Sequence, residues 1–243
     1  MAASTEADGF DLRFRAGDGV RRCELAQAAE VAFETLAPVR SFPAFRGQRN
    51  NTGWWWVATT ARHVGYESWL ERDHLIRLDF TPRVVGIASQ PFWLSWPEGA
   101  GRRSHVPDYF ARLADGTGIV IDCRPRQRVG PRDAAAFAAT ERACAQLGWR
   151  YQLAHELPAT RMANLRWLAG YRHPRYRRGE VAADAVQAAT APLYVLDLAQ
   201  RLGDPIGTLP VLFHLLWSGE LDADLSLPLH GDTMIVAPGA SSD

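Results

Sequence analysis

Hydrophobic positions along the chain change their spacing several times, and each change predicts an element. Between Tyr66 and Pro82 the apolar residues Leu70, Leu75, Ile76 and Leu78 recur at helical spacing, which predicts a helix from about Glu67 to Asp79 with Pro82 as its stop. Val84–Ile87 and Pro91–Leu94 then read as strands, with Trp93 and Trp96 adding aromatic weight. His105–Leu113 predicts another strand, Ala114–Gly118 its tight turn, and Ile119–Cys123 a following strand apolar enough to be central. Asp133 opens an alanine-rich helix to Leu147, Gly148 caps it, and Trp149–Leu153 returns as a strand. This order fits an α/β unit, a mixed sheet flanked by helices.

The flanks carry weaker patterns. Before the α/β unit, Ala26–Leu36 predicts a short helix and Pro38–Gly53, rich in Arg, Pro, Gly and Asn, reads as loop. Trp54–Val57 is a strand-like aromatic run expected to pack on the core. Beyond Pro158 the spacing turns helical, with candidates at Met162–Ala169, Val181–Ala189, Leu193–Leu202 and Thr208–Trp217. The stretch from Gly219 to Val236 alternates across a turn at His230–Asp232, so helices end in a terminal hairpin, a winged-helix-like order. The last seven residues read as a frayed tail. Three parts follow: residues 1–55, an extension packing on the core; 56–158, the α/β domain; and 159–243, a smaller helical, winged-helix-like domain.

Composition refines this reading without redirecting it. The 243 residues balance 27 basic against 27 acidic side chains, so net charge gives no reason to expect or exclude a nucleic-acid partner. Every one of those basic residues is arginine and the chain has no lysine, for which genomic composition bias is the simplest explanation. A hydrophobic content of 47% and nine tryptophans argue for a folded globular protein. Cys23, Cys123 and Cys144 are scattered, without disulfide or zinc spacing, and Cys144 reads as a small buried apolar residue. The N-terminus has neither a basic nor an apolar leader segment and no window reaches membrane-span length, so a cytoplasmic protein with no membrane partner is expected.

The chemistry concentrates in Pro107-Asp108 and in Asp122-Cys123-Arg124. Divalent magnesium or manganese wants hard oxygen ligands and leaves positions for water and phosphate. Asp108 at the head of one strand and Asp122 near the end of its hairpin partner can converge, and Glu71 on the preceding helix could complete the set. Cys123 is expected to contribute only its backbone carbonyl, because its side chain alternates away from that of Asp122. Arg124 shares the parity of Asp122, and a cation there could stabilise charge on a scissile phosphate. Glu67 shares a helix face with Glu71 and reads first as a solvated helix-start residue that could hold Glu71 or a second ion. His63 and His105 flank the region as hydrogen-bonding or DNA-contact residues, and Gln90 has either a structural role or a place beside the cleft.

Tyr66–Glu71, Gln90-Pro91, His105–Phe110 and Val120–Arg124 together resemble the N-terminal domain of TnsA-type transposon endonucleases, over about residues 55–157. That family belongs to the restriction-endonuclease-like PD-(D/E)xK superfamily. The resemblance implies Glu71, Asp108, Asp122 and Arg124 as catalytic residues, with Arg124 standing where the family carries lysine. It implies a metal site of Glu71, Asp108, Asp122 and Cys123 holding Mg²⁺, or Mn²⁺ in its place. It implies cleavage of double-stranded DNA at a transposon end beside an integrase-type transposase, and leaves room for a homodimer. Arg172, Arg175, Arg177 and Arg178 are candidate backbone contacts, and Thr208–Trp217 is a recognition-helix candidate whose apolar residues also suit a core. Two other readings stand beside this one: a catalytically weak or inactive DNA-binding assembly subunit, and an autonomous defence nuclease.

Overall fold

The computed structural model describes residues 9–41 and 51–239. The chain divides into two compact units, one built from residues up to Leu78 with Arg83–Glu156, the other from Asp79–Pro82 with residues from Leu157 onward. The architecture is mixed α/β, with several sheets flanked by helices and a helical C-terminal region.

In the first unit the N-terminal segment is part of the core. Strands β1 (Asp11–Ala16) and β2 (Gly19–Glu24) form a hairpin that joins β6 (Trp93–Glu98) and β7 (Gly101–His105) in a four-stranded sheet of order β2-β1-β6-β7. The helix expected over Ala26–Leu36 is instead two 3₁₀ turns, Leu25–Glu30 and Phe33–Thr35. Leu25 and Ala28 are the buried residues of the first, an i, i+3 spacing that suits the three-residue period of such turns better than a full α-helical face. Phe33, fully buried, is the hub of the apolar layer here. Its ring meets Phe14, Phe92 and Trp149 edge-on at centroid separations of 5.2, 4.8 and 5.8 Å.

The second sheet of this unit contains β5 (Val84–Ser89), β8 (Tyr109–Leu113), β9 (Gly118–Cys123) and β10 (Arg150–Ala154), in the order β10-β9-β8-β5. Its β8–β9 and β5–β8 pairs are antiparallel, while β9–β10 is parallel. Alternation along β9 separates two cores: Val120 joins the layer that includes Phe33 and Ala136, and Ile121 joins Leu75, Tyr109 and Ala111. Helix α1 (Trp69–Asp79) supplies Leu75 to the second layer, and helix α2 (Pro131–Gln146) supplies Ala136 and Ala139 to the first. A Cβ at Gly118 would stand 2.9 Å from the rings of Phe110 and Trp149, so only glycine fits the start of β9. Gly148, at φ 68°, follows α2 as the expected cap.

The strand predicted over His105–Leu113 needs correction: it is divided between the two sheets, because Pro107 has no N–H for a ladder and the chain crosses from β7 to β8 at Val106–Asp108. The tryptophan run is the expected strand, β3 (Gly53–Val57), paired with β4 (Arg62–Tyr66) in a separate hairpin, where Val57 is fully buried in the second layer with Trp55 packed against it, while Trp54 is 56% exposed. Of the predicted loop before it, residues 42–50 lie outside the described residues, as do the last four residues of the expected C-terminal tail.

The second unit contains α3 (Ala159–Leu168), α4 (Gly179–Ala188), α5 (Val195–Leu202) and α6 (Pro205–Ser218), matching the helices expected there to within a few residues. Three short strands, β11 (Leu193–Tyr194), β12 (Asp222–Ala223) and β13 (Met234–Val236), form an antiparallel sheet of order β11-β13-β12. Leu165, Leu168, Ala182, Ala185, Leu198 and Leu212 form its buried centre. The buried Asn164 amide donates to the carbonyls of Leu225 and Leu227 and accepts from Leu229 N–H, fixing the connection between β12 and β13. No described helix is long and apolar enough to cross a membrane.

Candidate functional site

The crossing at Val106–Asp108 opens a cleft of about 830 Å³ in the first unit, lined by Glu67, Glu71, His105, Asp108, Asp122, Cys123 and Arg124, with Arg40 and Arg128 also contributing. All four expected catalytic residues therefore face one cavity. Asp108 leaves the ladder just before β8 and is held by one short bond, Cys123 N–H to its Oδ2 at 2.6 Å, while Oδ1 accepts no hydrogen bond from a described residue. Burial first, and then the charges of Glu71 and Asp122, push the Asp108 carboxyl well above its ordinary pKa, against the pull of Cys123 N–H and Arg124. Three acids so placed repel one another in the absence of a cation.

Glu71 is engaged with its own helix. Its carboxylate accepts from Glu67 N–H at 2.7 Å and from Ser68 Oγ at 2.8 Å, while Glu71 N–H donates back to Ser68 Oγ at 3.2 Å. This reciprocal pattern satisfies helix-start N–H groups as a capping box does, and it explains why α1 begins at Trp69 rather than at Glu67. The signal was readable in Ser68-x-x-Glu71. Burial raises the Glu71 pKa, opposed by the Glu67 N–H and the Ser68 hydroxyl. Glu67 itself pairs with Arg40 at 3.2 Å.

Asp122, 2% exposed, uses both oxygens within the protein: Oδ1 meets His105 Nε2 at 2.8 Å and Oδ2 accepts from the Tyr151 hydroxyl at 2.9 Å. Burial and then the Asp122 charge push the Tyr151 phenol far up, so it remains a donor at any working pH. His105 stands edge-on to Phe137 of α2 with ring centroids 5.8 Å apart, and its Nδ1 makes no hydrogen bond to a described residue. Sequence reasoning placed His105 as a hydrogen-bonding residue but did not find Tyr151. Parallel pairing sets Tyr151 against Val120, on the face that also carries Asp122, and that register is not legible from one chain.

Arg124 continues β9 beyond its last paired residue. Its N–H donates to Ala154 O at 2.9 Å and its carbonyl meets His155 Nδ1 at 2.7 Å, so the backbone is pinned to the end of β10. The side chain reaches Asp133 Oδ1 at 3.4 Å, while Nε is buried without a partner. Cys123 donates its N–H to Asp108 Oδ2, and burial pushes its thiol well up. Gln90 is buried at φ 46°, with its backbone N–H on Asp108 O at 2.8 Å and its side-chain Oε1 unpartnered, so its demonstrated contact is structural. His63 lies in β4, paired with Trp56, and does not line the cleft. Among the described residues no group of three or more His, Cys, Asp or Glu side chains is gathered in a geometry ready to hold a metal ion.

Most of the arginines expected to touch DNA in the second unit are engaged there. Arg177 makes a two-pronged pair with Glu220 at 3.2 and 2.7 Å, and Arg178 donates to Gly207 O at 2.6 Å. Arg172 donates to Ala169 O, and burial lowers its pKa. Arg175 lies over the Tyr176 ring at 4.9 Å. Helix α6 buries Thr208, Val211, Leu212 and His214–Trp217, which makes it chiefly a core helix. Compared with known proteins, the chain matches no family model and no curated protein sequence.

Proposed function

We propose that the chain is a metal-dependent DNA endonuclease, the TnsA-like subunit of a heteromeric transposase that hydrolyses a phosphodiester at a transposon end. The observation that carries this is the gathering of Glu71, Asp108, Asp122 and Arg124 around one cleft. A mixed sheet with α1 on one face and α2 on the other supports the restriction-endonuclease-like reading. In the second unit, the succession α4, β11, α5, α6, β12, β13 with sheet order β11-β13-β12 supports a winged-helix-like domain.

The donor chemistry suits Mg²⁺ or Mn²⁺, because the side chains are oxygen ligands and Asp108 Oδ1 has no partner among the described residues. Glu71 and Asp108 would hold the ion, with Asp122 available through the lone pairs that His105 and Tyr151 leave. When bound, the ion would polarise a phosphoryl oxygen and activate an attacking water. Arg124 would meet the negative charge that develops on phosphate, since its buried Nε needs an acceptor that no described residue provides. Asp122 fixes the His105 ring through Nε2 and leaves Nδ1 for water or substrate.

A second reading, a DNA-binding assembly subunit of low or no activity, is favoured by the carboxylate bonds of Glu71 to its own helix start and by Arg124 in place of lysine. Supercoiled plasmid with Mg²⁺ or Mn²⁺, with and without an integrase-type transposase, separates the two. Nicking by the wild-type chain that is lost in Asp108→Asn supports the endonuclease. DNA binding without nicking under every condition supports the assembly subunit, and nicking that needs no transposase supports an autonomous nuclease.

A further inference from the structure

We infer that duplex DNA is held along an arginine ridge of the first unit, formed by Arg126, Arg128 and Arg132 beside the cleft, and not by the Tyr171–Arg178 segment. This rests on the nuclease reading above and adds to it the surface that the substrate occupies. Arg126 and Arg128 stand in the exposed 3₁₀ turn Arg126–Arg128, two and four residues beyond Arg124, and Arg132 is exposed in the first turn of α2. None of the three guanidinium groups forms an ion pair or hydrogen bond with a described residue. Of the nearby acids, Asp133 pairs with Arg124, and Glu156 accepts the backbone N–H of Arg126 and feels the charge of that arginine without forming an ion pair with it.

The ridge is continuous with the site. Arg128 lines the cleft itself, and Arg132 lines an adjoining groove of about 370 Å³ that shares Ser104 and His105 with the cleft. A strand with its scissile phosphate at Arg124 would therefore run over guanidinium forks that have no acceptor among the described residues, the state in which arginine is available for phosphate oxygens. With zero net charge on the whole chain, such local surplus is what attracts a polyanion. In the second unit, by contrast, Arg177 and Arg178 would first have to break bonds to Glu220 and Gly207.

The test is anisotropy of a fluorescent 30-base-pair duplex with the full chain in EDTA, which prevents cleavage, from about 50 to 200 mM salt. We compare wild type, the triple variant Arg126→Ala/Arg128→Ala/Arg132→Ala, and the pair Arg175→Ala/Arg177→Ala, each checked for a native unfolding transition. Counterion release predicts that the triple variant loses roughly tenfold in affinity per arginine near 0.1 M salt, with a log–log salt slope shallower by about 0.9 per arginine. The second-unit pair should bind like wild type. Wild-type affinity and slope in the triple variant, or an equal loss in the second-unit pair, overturns the ridge while leaving wild-type nicking intact. A wild-type chain that neither binds nor nicks duplex DNA overturns the nuclease reading and the ridge with it.

Discussion

Removing one hydroxyl tests how Asp122 is held. Tyr151→Phe keeps the ring that packs against the N-terminal core and deletes only the O–H donated to Asp122 Oδ2 at 2.9 Å. Because Asp122 is 2% exposed, water cannot readily replace the lost donor, and His105 serves only the other oxygen. A hydrogen bond to a charged, buried acceptor contributes about 1.5–3 kcal/mol, so the variant should be less stable by about that amount. With a urea slope of about 2 kcal/mol per molar, the midpoint of the transition that reports on the first unit should fall by roughly 1 M at unchanged slope. The assay is urea unfolding near neutral pH, followed by tryptophan fluorescence. A double-mutant cycle with Asp122→Asn isolates the pair, and Tyr151→Phe should cost distinctly less in that background. A midpoint within error of wild type, or an equal cost in both backgrounds, would refute the claim that this hydroxyl holds Asp122.

Asp108→Asn should alter stability in a pH-dependent way without metal. Burial, Glu71 and Asp122 raise the folded pKa of Asp108, so its protonated form stabilises the fold below the ordinary carboxylate range, and stability is lost as pH rises through the raised value. In EDTA the variant should gain on wild type as pH climbs from about 4 to 8, and a difference independent of pH would sink this reasoning. Arg124→Ala should lower plasmid nicking on the order of a hundredfold with little loss of stability, since its side chain is partly exposed and its ion pair to Asp133 is long; unchanged nicking would reduce Arg124 to that pair. Phe33→Ala should cost about 3–5 kcal/mol in chemical denaturation, because Phe33 is fully buried among four aromatic rings, and a loss below about 1 kcal/mol would contradict its place as the hub.

The sequence by itself determined the elements whose signals are local. The apolar spacing of Leu75 and Leu78 set α1, the alanine run ending at Gly148 set α2, and the tight turn after Leu113 set the β8–β9 hairpin that brings Asp108 and Asp122 to one end of a sheet. Parity along β9 placed Asp122 and Arg124 together for the same reason, since side chains alternate strictly along a strand. Apolar spacing alone put the start of α1 at about Glu67, two residues before the start that the Ser68 and Glu71 side chains fix. What only the tertiary structure decided were pairings between distant segments. The N-terminal residues read as an extension supply half of a sheet, because β1 finds β6 more than seventy-five residues away. Pro107 turns an apparent single strand into a crossing between sheets. Asp122 is clamped by His105 from one sheet and Tyr151 from the parallel neighbour of its own strand, and Arg177 and Arg178 are engaged because the fold brings Glu220 and the Gly207 carbonyl near them. Hydrogen-bond partners and strand neighbours depend on which chain segments meet, and a linear pattern of apolar and polar residues records which face of an element is buried, not what it is buried against.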